Sequence, residues 1–123
     1  MKKLWPLLFL FACTNDGIPT VDASQVVQMR QTDPNVQLVD VRTPEELQAT
    51  GHIEGAVNID IESDDFEARL VGLDKEKPVI VHCRTGGRST KAARIMQKLG
   101  FKQVLNYKGG MNDWLSKGNK TVR

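Results

Sequence analysis

Four short runs of aliphatic and β-branched residues constrain this chain more than any other feature. They are Val36-Gln37-Leu38-Val39-Asp40-Val41, Ala56 to Ile59, Pro78 to His82, and Val104-Leu105. Each is too short for a stable helix, and their composition suits strands. Between them lie helix signals. Asp22-Ala23-Ser24-Gln25 forms a capping box that opens a helix through about Gln31. Thr43-Pro44-Glu45-Glu46 supplies an N-cap, a proline at the first helical position and a glutamate at the third. Ser63 is placed to cap a helix bearing Phe66, Leu70 and Val71. A longer helix carries Ala92, Ala93, Ile95, Met96 and Leu99 before Gly100 stops it. A last short helix carries Trp114 and Leu115. Strands alternating with helices predict an α/β domain with a largely parallel sheet. The unbroken apolar run Val79-Ile80-Val81 predicts a strand buried on both faces.

Ligands of such sheets sit at the carboxyl ends of strands. Cys83 occupies one of those ends, opening the loop Cys83-Arg84-Thr85-Gly86-Gly87-Arg88-Ser89 that leads into the long helix. A helix N-terminus offers free N–H groups, and two arginines lie within the loop. Both favour the thiolate and attract anions. Gly86 and Gly87 permit crowded or left-handed backbone, so successive N–H groups can turn inward as an anion nest. Arg84 is expected to face outward and meet an anionic ligand. Arg88 is expected to fold inward and brace the loop, against a carboxylate such as Asp40. Thr85 and Ser89 offer hydroxyl donors, and Ser89 is equally placed to cap the helix.

The N-terminus reads as a targeting segment. Met1-Lys2-Lys3 is a positive region and Leu4 to Ala12 a short apolar one, well below the roughly 20 residues that span a membrane. Leu10-Phe11-Ala12-Cys13 resembles the bacterial lipoprotein box, in which the cysteine is lipidated and becomes the mature N-terminus. The expected organisation is a signal peptide over 1–12, a tether over 13–18, a domain over 19–118 and a tail over 119–123. The protein is then exported and held on the periplasmic side of a bacterial membrane by lipid on Cys13. Cys13 and Cys83 are the two cysteines. With Cys13 lipidated, Cys83 has no disulfide partner in its own chain and is a free thiol worth treating as reactive. An inert buried cysteine is the bland alternative.

In order along the chain, three segments resemble the rhodanese family of single-domain sulfurtransferases. Leu38-Val39-Asp40-Val41-Arg42 with Glu45-Glu46 and then Gly51-His52-Ile53-Glu54-Gly55-Ala56-Val57-Asn58-Ile59 is similar to its N-terminal signature. Cys83 to Ser89 is similar to its active-site loop. Phe101 to Val104, Tyr107-Lys108-Gly109-Gly110 and Trp114 are similar to its C-terminal signature. The resemblance spans about Ile18 to Lys117. It implies a single domain with a five-stranded parallel sheet flanked by helices on both faces. It also implies transfer of sulfane sulfur from thiosulfate or a persulfide to a thiophilic acceptor, cyanide or a thiol, through a persulfide on Cys83. Arg84, Thr85, Gly86, Gly87, Arg88 and Ser89 are the implied substrate-binding residues. A sulfur carrier or sensor with little turnover is the alternative from another class. A phosphatase or arsenate-type reductase is a further, less favoured alternative: phosphatases of related fold place five residues between cysteine and arginine, whereas four separate Cys83 from Arg88. The tighter loop suits a single sulfur atom.

Other polar residues have simpler readings. Asp40 and Arg42 are expected to be an ion pair or hydrogen-bond partners that stabilise the fold. His52 is expected to be structural. His82 adjoins Cys83, but neighbours on a strand point to opposite faces, so it is not expected to be the cysteine's base. Tyr107, Lys108, Gly109 and Gly110 are read as a loop that either rims the pocket or simply turns. Trp114 is expected in the core. No His/Cys cluster has metal-ligand spacing and no dinucleotide fingerprint is present, so no cofactor is expected. Seventeen basic residues less Lys2 and Lys3 leaves fifteen, against fifteen acidic ones. That balance gives no support for nucleic-acid binding. The expected partners are small sulfur donors and acceptors, and a monomer is expected.

Overall fold

The computed structural model of the chain describes residues 12–13, for their backbone, and residues 17–123. The expected signal peptide over 1–12 and residues 14–16 of the expected tether lie outside the described residues, Ala12 excepted. In chain order the elements are β1 (Ala12–Cys13), β2 (Pro19–Val21), α1 (Ala23–Thr32), β3 (Gln37–Asp40), α2 (Pro44–Thr50), β4 (Val57–Asn58), α3 (Phe66–Leu70), β5 (Val79–His82), α4 (Gly87–Lys98), β6 (Val104–Tyr107) and α5 (Gly110–Ser116). The sheet runs β1-β2-β6-β5-β3-β4. β2, β6, β5, β3 and β4 form the expected five parallel strands, and β1 adds to the β2 edge in antiparallel sense.

β5 lies at the centre of the sheet, with all four residues buried. Its side chains alternate between faces, as a pleated strand requires. Val79, Val81 and then Cys83 enter one apolar layer, with Phe66 and Leu70 of α3 and Ala92, Ala93 and Met96 of α4. Ile80 enters the other, with Val26 and Met29 of α1 and Met111 and Trp114 of α5. Full burial of an aliphatic side chain such as Ile80 stabilises the fold by roughly 1.5–3 kcal/mol. The two layers hold β5 rigidly and fix where Cys83 emerges.

Two helix starts form as their sequences dictate. At α1, Asp22 accepts the N–H of Gln25 at 2.8 Å, and the Gln25 side chain accepts the N–H of Asp22 at 2.9 Å. At α2, Thr43 and Glu46 exchange the same pair of bonds, with Pro44 at the first position. α2 has no buried residue, so polar bonds rather than apolar packing seat it.

Several expectations change. Ser63 does not cap α3. The N-cap is Asp65, whose side chain makes no cap bond, and the Ser63 hydroxyl donates to the Asp65 carboxylate instead. Val71 falls past the helix end and is exposed. β6 runs on through Asn106 and Tyr107, so Tyr107 is a buried strand residue and not part of a rim loop. β2 is too short to show periodicity; it exists through pairing of Thr20 and Val21 with Asn106 and Tyr107. The residues read as a tail fold back onto the domain. Val122 and His52 exchange two backbone bonds of 2.8 Å, and Trp114 Nε1 donates to the Lys120 carbonyl at 2.9 Å.

Candidate active site

The chain leaves β5 at Cys83 and turns through four residues into α4. The thiol is 1% exposed, with its sulfur turned into the loop it opens. Gly86 donates its N–H to Sγ at 3.1 Å and Ser89 donates at 3.4 Å. The Ser89 hydroxyl stands 3.6 Å from the same sulfur. Ser89 is the third residue of α4, so Sγ takes the place that a capping oxygen takes at other helix starts. Burial pushes the Cys83 thiol up. The Ser89 hydroxyl and the N–H groups of Ser89, Gly86 and Thr85 outweigh it and hold the thiol below its usual value. Thr85 therefore contributes through its backbone, and its side chain is exposed.

The loop keeps its N–H groups inward because its carbonyls are held outward. α5 begins beside it: Met111 donates its N–H to the Cys83 carbonyl at 2.9 Å, and Asn112 to that of Arg84 at 3.2 Å. His82 Nδ1 lies 3.1 Å from the Cys83 carbonyl, which can only accept, so Nδ1 carries the proton. On the other side, Asn106 Nδ2 donates to the Thr90 hydroxyl at 2.9 Å, and that hydroxyl donates to the Gly86 carbonyl at 2.7 Å. The Ser89 hydroxyl reaches the same carbonyl at 3.2 Å. Its single proton can turn to sulfur when the thiolate forms, because Thr90 still satisfies the Gly86 carbonyl through its N–H and hydroxyl.

Two glycines are required by close approach. Gly86 has φ +105°, and a Cβ there would stand 2.7 Å from the Lys108 carbonyl oxygen. Gly110 has φ +62°, and its Cβ would stand 2.5 Å from the Cys83 carbonyl oxygen. Gly110 therefore lets α5 begin against the loop, which gives it more than a turning role, whereas a Cβ on Gly109 would meet the Asp113 side chain of α5 itself. A Cβ on Gly87 would meet nothing within 4 Å.

Arg88 does brace the loop, but its partner is Glu46 rather than Asp40. The pair is bidentate, at 2.6 and 2.9 Å, with Glu62 a further 3.7 Å from Arg88 Nη1. The Arg88 bonds hold the Glu46 carboxyl down to about 2, and Glu46 in turn raises the arginine. Asp40 is already committed. Arg42 Nε bonds Oδ1 at 3.0 Å and Arg42 Nη2 bonds Oδ2 at 2.7 Å, with both residues buried. Arg42 also reaches the Thr50 hydroxyl and the Gly51 carbonyl. The pair stabilises the fold as expected.

His82 lies on the face away from Cys83, as strand alternation requires. Its Nε2 has no hydrogen-bond partner and stands 3.7 Å from Asp40 Oδ2. Burial holds its pKa down, which keeps the ring neutral. His52 serves through its backbone bridge to Val122. Arg84 is exposed, with no side-chain partner among the described residues. It lines a cavity of about 270 Å³ between α2 and α5. A larger depression of about 530 Å³ lies elsewhere, between α1 and the end of α5. Among the described residues no cluster could hold a metal ion.

Residues 22–117 match the family described as the rhodanese-like domain. The chain belongs to the rhodanese-like domain family. Its relatives include a sulfurtransferase of Allochromatium vinosum, 32% identical over 98 residues, or 80% of this chain and 89% of that one. The thiosulfate:glutathione sulfurtransferase of Saccharomyces cerevisiae is 35% identical over 98 residues, covering 70% of this chain and 69% of the yeast protein. Among solved structures, the polysulfide-sulfur transferase homodimer of Wolinella succinogenes superposes with a TM-score of 0.72. It is 33% identical, covering 84% of this chain and 77% of that chain. Fold and family thus make this chain a rhodanese-domain protein of the sulfurtransferase kind.

Within the rhodanese-like domain, sequence reasoning missed Glu46, Thr90, Asn106 and Met111 as supports of the loop. The capping position of Glu46 already accounts for its carboxylate, so the sequence carries no separate signal of its bond to Arg88. Asn106 carried a usable signal, since a polar residue following Val104-Leu105 in a buried strand must find a partner. Thr90 and Met111 carried none.

Proposed function

We propose that this rhodanese-like domain is a thiosulfate sulfurtransferase with Cys83 as its nucleophile. The observation that carries the reading is the buried Cys83 sulfur, at 3.1 and 3.4 Å from two N–H groups that favour its thiolate. The thiolate attacks the outer sulfur of thiosulfate. A bond forms between Cys83 Sγ and that sulfur, the S–S bond of thiosulfate breaks, and its electron pair leaves on sulfite. The remaining negative charge lies on the terminal sulfur of the persulfide, beside the N–H groups of Thr85, Gly86 and Ser89. A thiophilic acceptor, cyanide or a thiol, then attacks that terminal sulfur and returns the electron pair to Cys83. Arg84 meets the anionic donor at the mouth. Arg88 has its charge committed to Glu46 and acts by holding the loop. It therefore does not encircle a tetrahedral oxyanion, which argues for sulfur over phosphate chemistry.

Thiocyanate formation from thiosulfate and cyanide tests this. Activity is expected in the native protein, and Cys83→Ala is expected to abolish it with the fold retained by circular dichroism. Full activity in that variant defeats the mechanism.

We further propose that Cys13 is lipidated and tethers the domain to the periplasmic side of a bacterial membrane. In the uncleaved chain Cys13 lies opposite Pro19 on the β2 edge. Globomycin is expected to accumulate the precursor, and Cys13→Ser to release the protein from membranes. A Cys13→Ser protein that stays with the membrane fraction contradicts the anchor.

A further inference from the structure

Asn106 is a polar residue in the middle of an apolar strand. Its neighbours Leu105 and Tyr107 enter one core layer, and Asn106 follows Val104 into the other, on the α4 side. It is 0% exposed. Its Nδ2 bonds the Thr90 hydroxyl, while its Oδ1 has no hydrogen-bond partner among the described residues. An amide left half-paired in a dry interior costs stability that an aliphatic side chain of similar size does not. What Asn106 contributes is therefore the one bond it makes.

That bond has a fixed direction. The Gly86 carbonyl can only accept, so the Thr90 hydroxyl, 2.7 Å away, donates its single proton there. The Thr90 oxygen then accepts from Asn106 at 2.9 Å, which sets the amide with Nδ2 towards it. Accepting this bond strengthens the one that Thr90 donates and holds the hydroxyl in place. Thr90 also donates its N–H to the same carbonyl at 3.1 Å. A carbonyl oxygen has two lone pairs, and these two donors fill them.

Ser89 is the third donor within reach of Gly86, at 3.2 Å, and its oxygen also stands 3.6 Å from Sγ. In the thiol form, the S–H points to the Ser89 oxygen and the Ser89 proton to the Gly86 carbonyl. In the thiolate form, the Ser89 proton has to turn to sulfur and leave the carbonyl to others. From this geometry we infer that Asn106 and Thr90 are positioning residues: they saturate the Gly86 carbonyl and so release the Ser89 proton to the Cys83 thiolate. A residue of β6 thereby reaches a sulfur at the end of β5 through two hydroxyl side chains of α4. The inference rests on the sulfurtransferase reading for its use, and on the thiolate alone for its test.

Alkylation of Cys83 by iodoacetamide, followed against pH on the whole protein, is that test. Thr90→Val keeps the shape and loses the hydroxyl. Ser89 is then expected to stay on the Gly86 carbonyl. The midpoint moves to higher pH and alkylation at pH 6 slows by up to about tenfold, the worth of one bond to a charged sulfur. Thr90→Ser is expected to keep the native profile, and Asn106→Leu to shift it in the same direction as Thr90→Val by less. Should Thr90→Val fail to fold around an unpaired Asn106 amide, the double variant with Asn106→Leu removes both polar partners and is expected to give the same shifted profile. The deciding comparison uses Ser89→Ala as background, where Thr90→Val and Asn106→Leu are expected to move the midpoint no further. An unmoved midpoint in Thr90→Val overturns the inference. So does an equal shift with and without the Ser89 hydroxyl, which means that the loop has simply loosened. Thiocyanate formation reads the other claim. Its absence in the native protein, with the pH profiles as expected, defeats the sulfurtransferase reading and leaves the relay standing. Its presence with unmoved profiles defeats the relay alone.

Discussion

Cys83 carries two opposed influences that a residue-level experiment can separate. Burial disfavours the thiolate, while the Ser89 hydroxyl and three N–H groups favour it and prevail. The hydroxyl can be removed without disturbing the backbone donors, because Ser89 keeps its N–H in α4. Ser89→Ala deletes one bond to a charged sulfur, worth about 1.5 kcal/mol, or roughly tenfold in thiolate population below the midpoint. Alkylation by iodoacetamide followed against pH is the measurement. The midpoint is expected to move to higher pH, with alkylation slowed at pH 6. An unmoved profile means that the backbone alone sets the thiolate. At this scale the sequence was informative about Cys83 itself, since a cysteine between an apolar strand and a helix start has few other uses. It was less informative about Thr85, whose hydroxyl looked useful and whose N–H is the group that reaches the sulfur.

At the scale of elements, Glu46 joins α2 to the start of α4. Its carboxylate accepts from the Thr43 N–H and hydroxyl on its own helix and from both Arg88 amino groups on the other. The Arg88 bonds hold its pKa in the folded protein to about 2, below an ordinary value of 4.5. A carboxyl depressed on folding binds its proton more readily in the unfolded chain. Its stabilisation is therefore complete above about pH 4.5 and is lost as the pH falls towards 2. Glu46→Gln retains a capping side chain and loses the charge. It is expected to be less stable by about 1 kcal/mol at pH 7, a modest value for a pair still reached by solvent. That deficit is expected to shrink between pH 4.5 and 2. Thermal unfolding across that range checks it, and a deficit that is constant with pH means that the charge is irrelevant. The starts of α1 and α2 were legible because caps are local: donor and acceptor lie within three residues. The start of α3 was misread for the same reason. Ser63 and Asp65 both lie near it, and their mutual hydrogen bond diverts the serine. β2 was invisible because three residues hold no periodicity and only β6 makes them a strand.

For the molecule as a whole, the buried Asp40–Arg42 pair ties β3 to the end of α2 through Thr50 and Gly51. Removing one partner strands the other charge in a dry interior. Arg42→Ala is expected to cost about 3–5 kcal/mol, and removing both partners to cost less than the sum of the two single changes. Urea denaturation measures all three variants. A cost under about 1 kcal/mol for Arg42→Ala sinks this account. The sequence by itself determined the α/β class, the position of Cys83 at a strand's carboxyl end, the first two helix caps and the structural rather than catalytic reading of Asp40 and Arg42. These are properties of neighbours along the chain, where spacing alone decides what can meet. Tertiary structure decided the rest. It gave Arg88 to Glu46, forty-two residues away, because Arg42 had already taken Asp40 on β3. It set Gly110 against the Cys83 carbonyl and hung the Gly86 carbonyl on Thr90 and Asn106. Such partners are brought together by the packing of both helical layers on one sheet, and no local pattern encodes which of several carboxylates or amides will arrive.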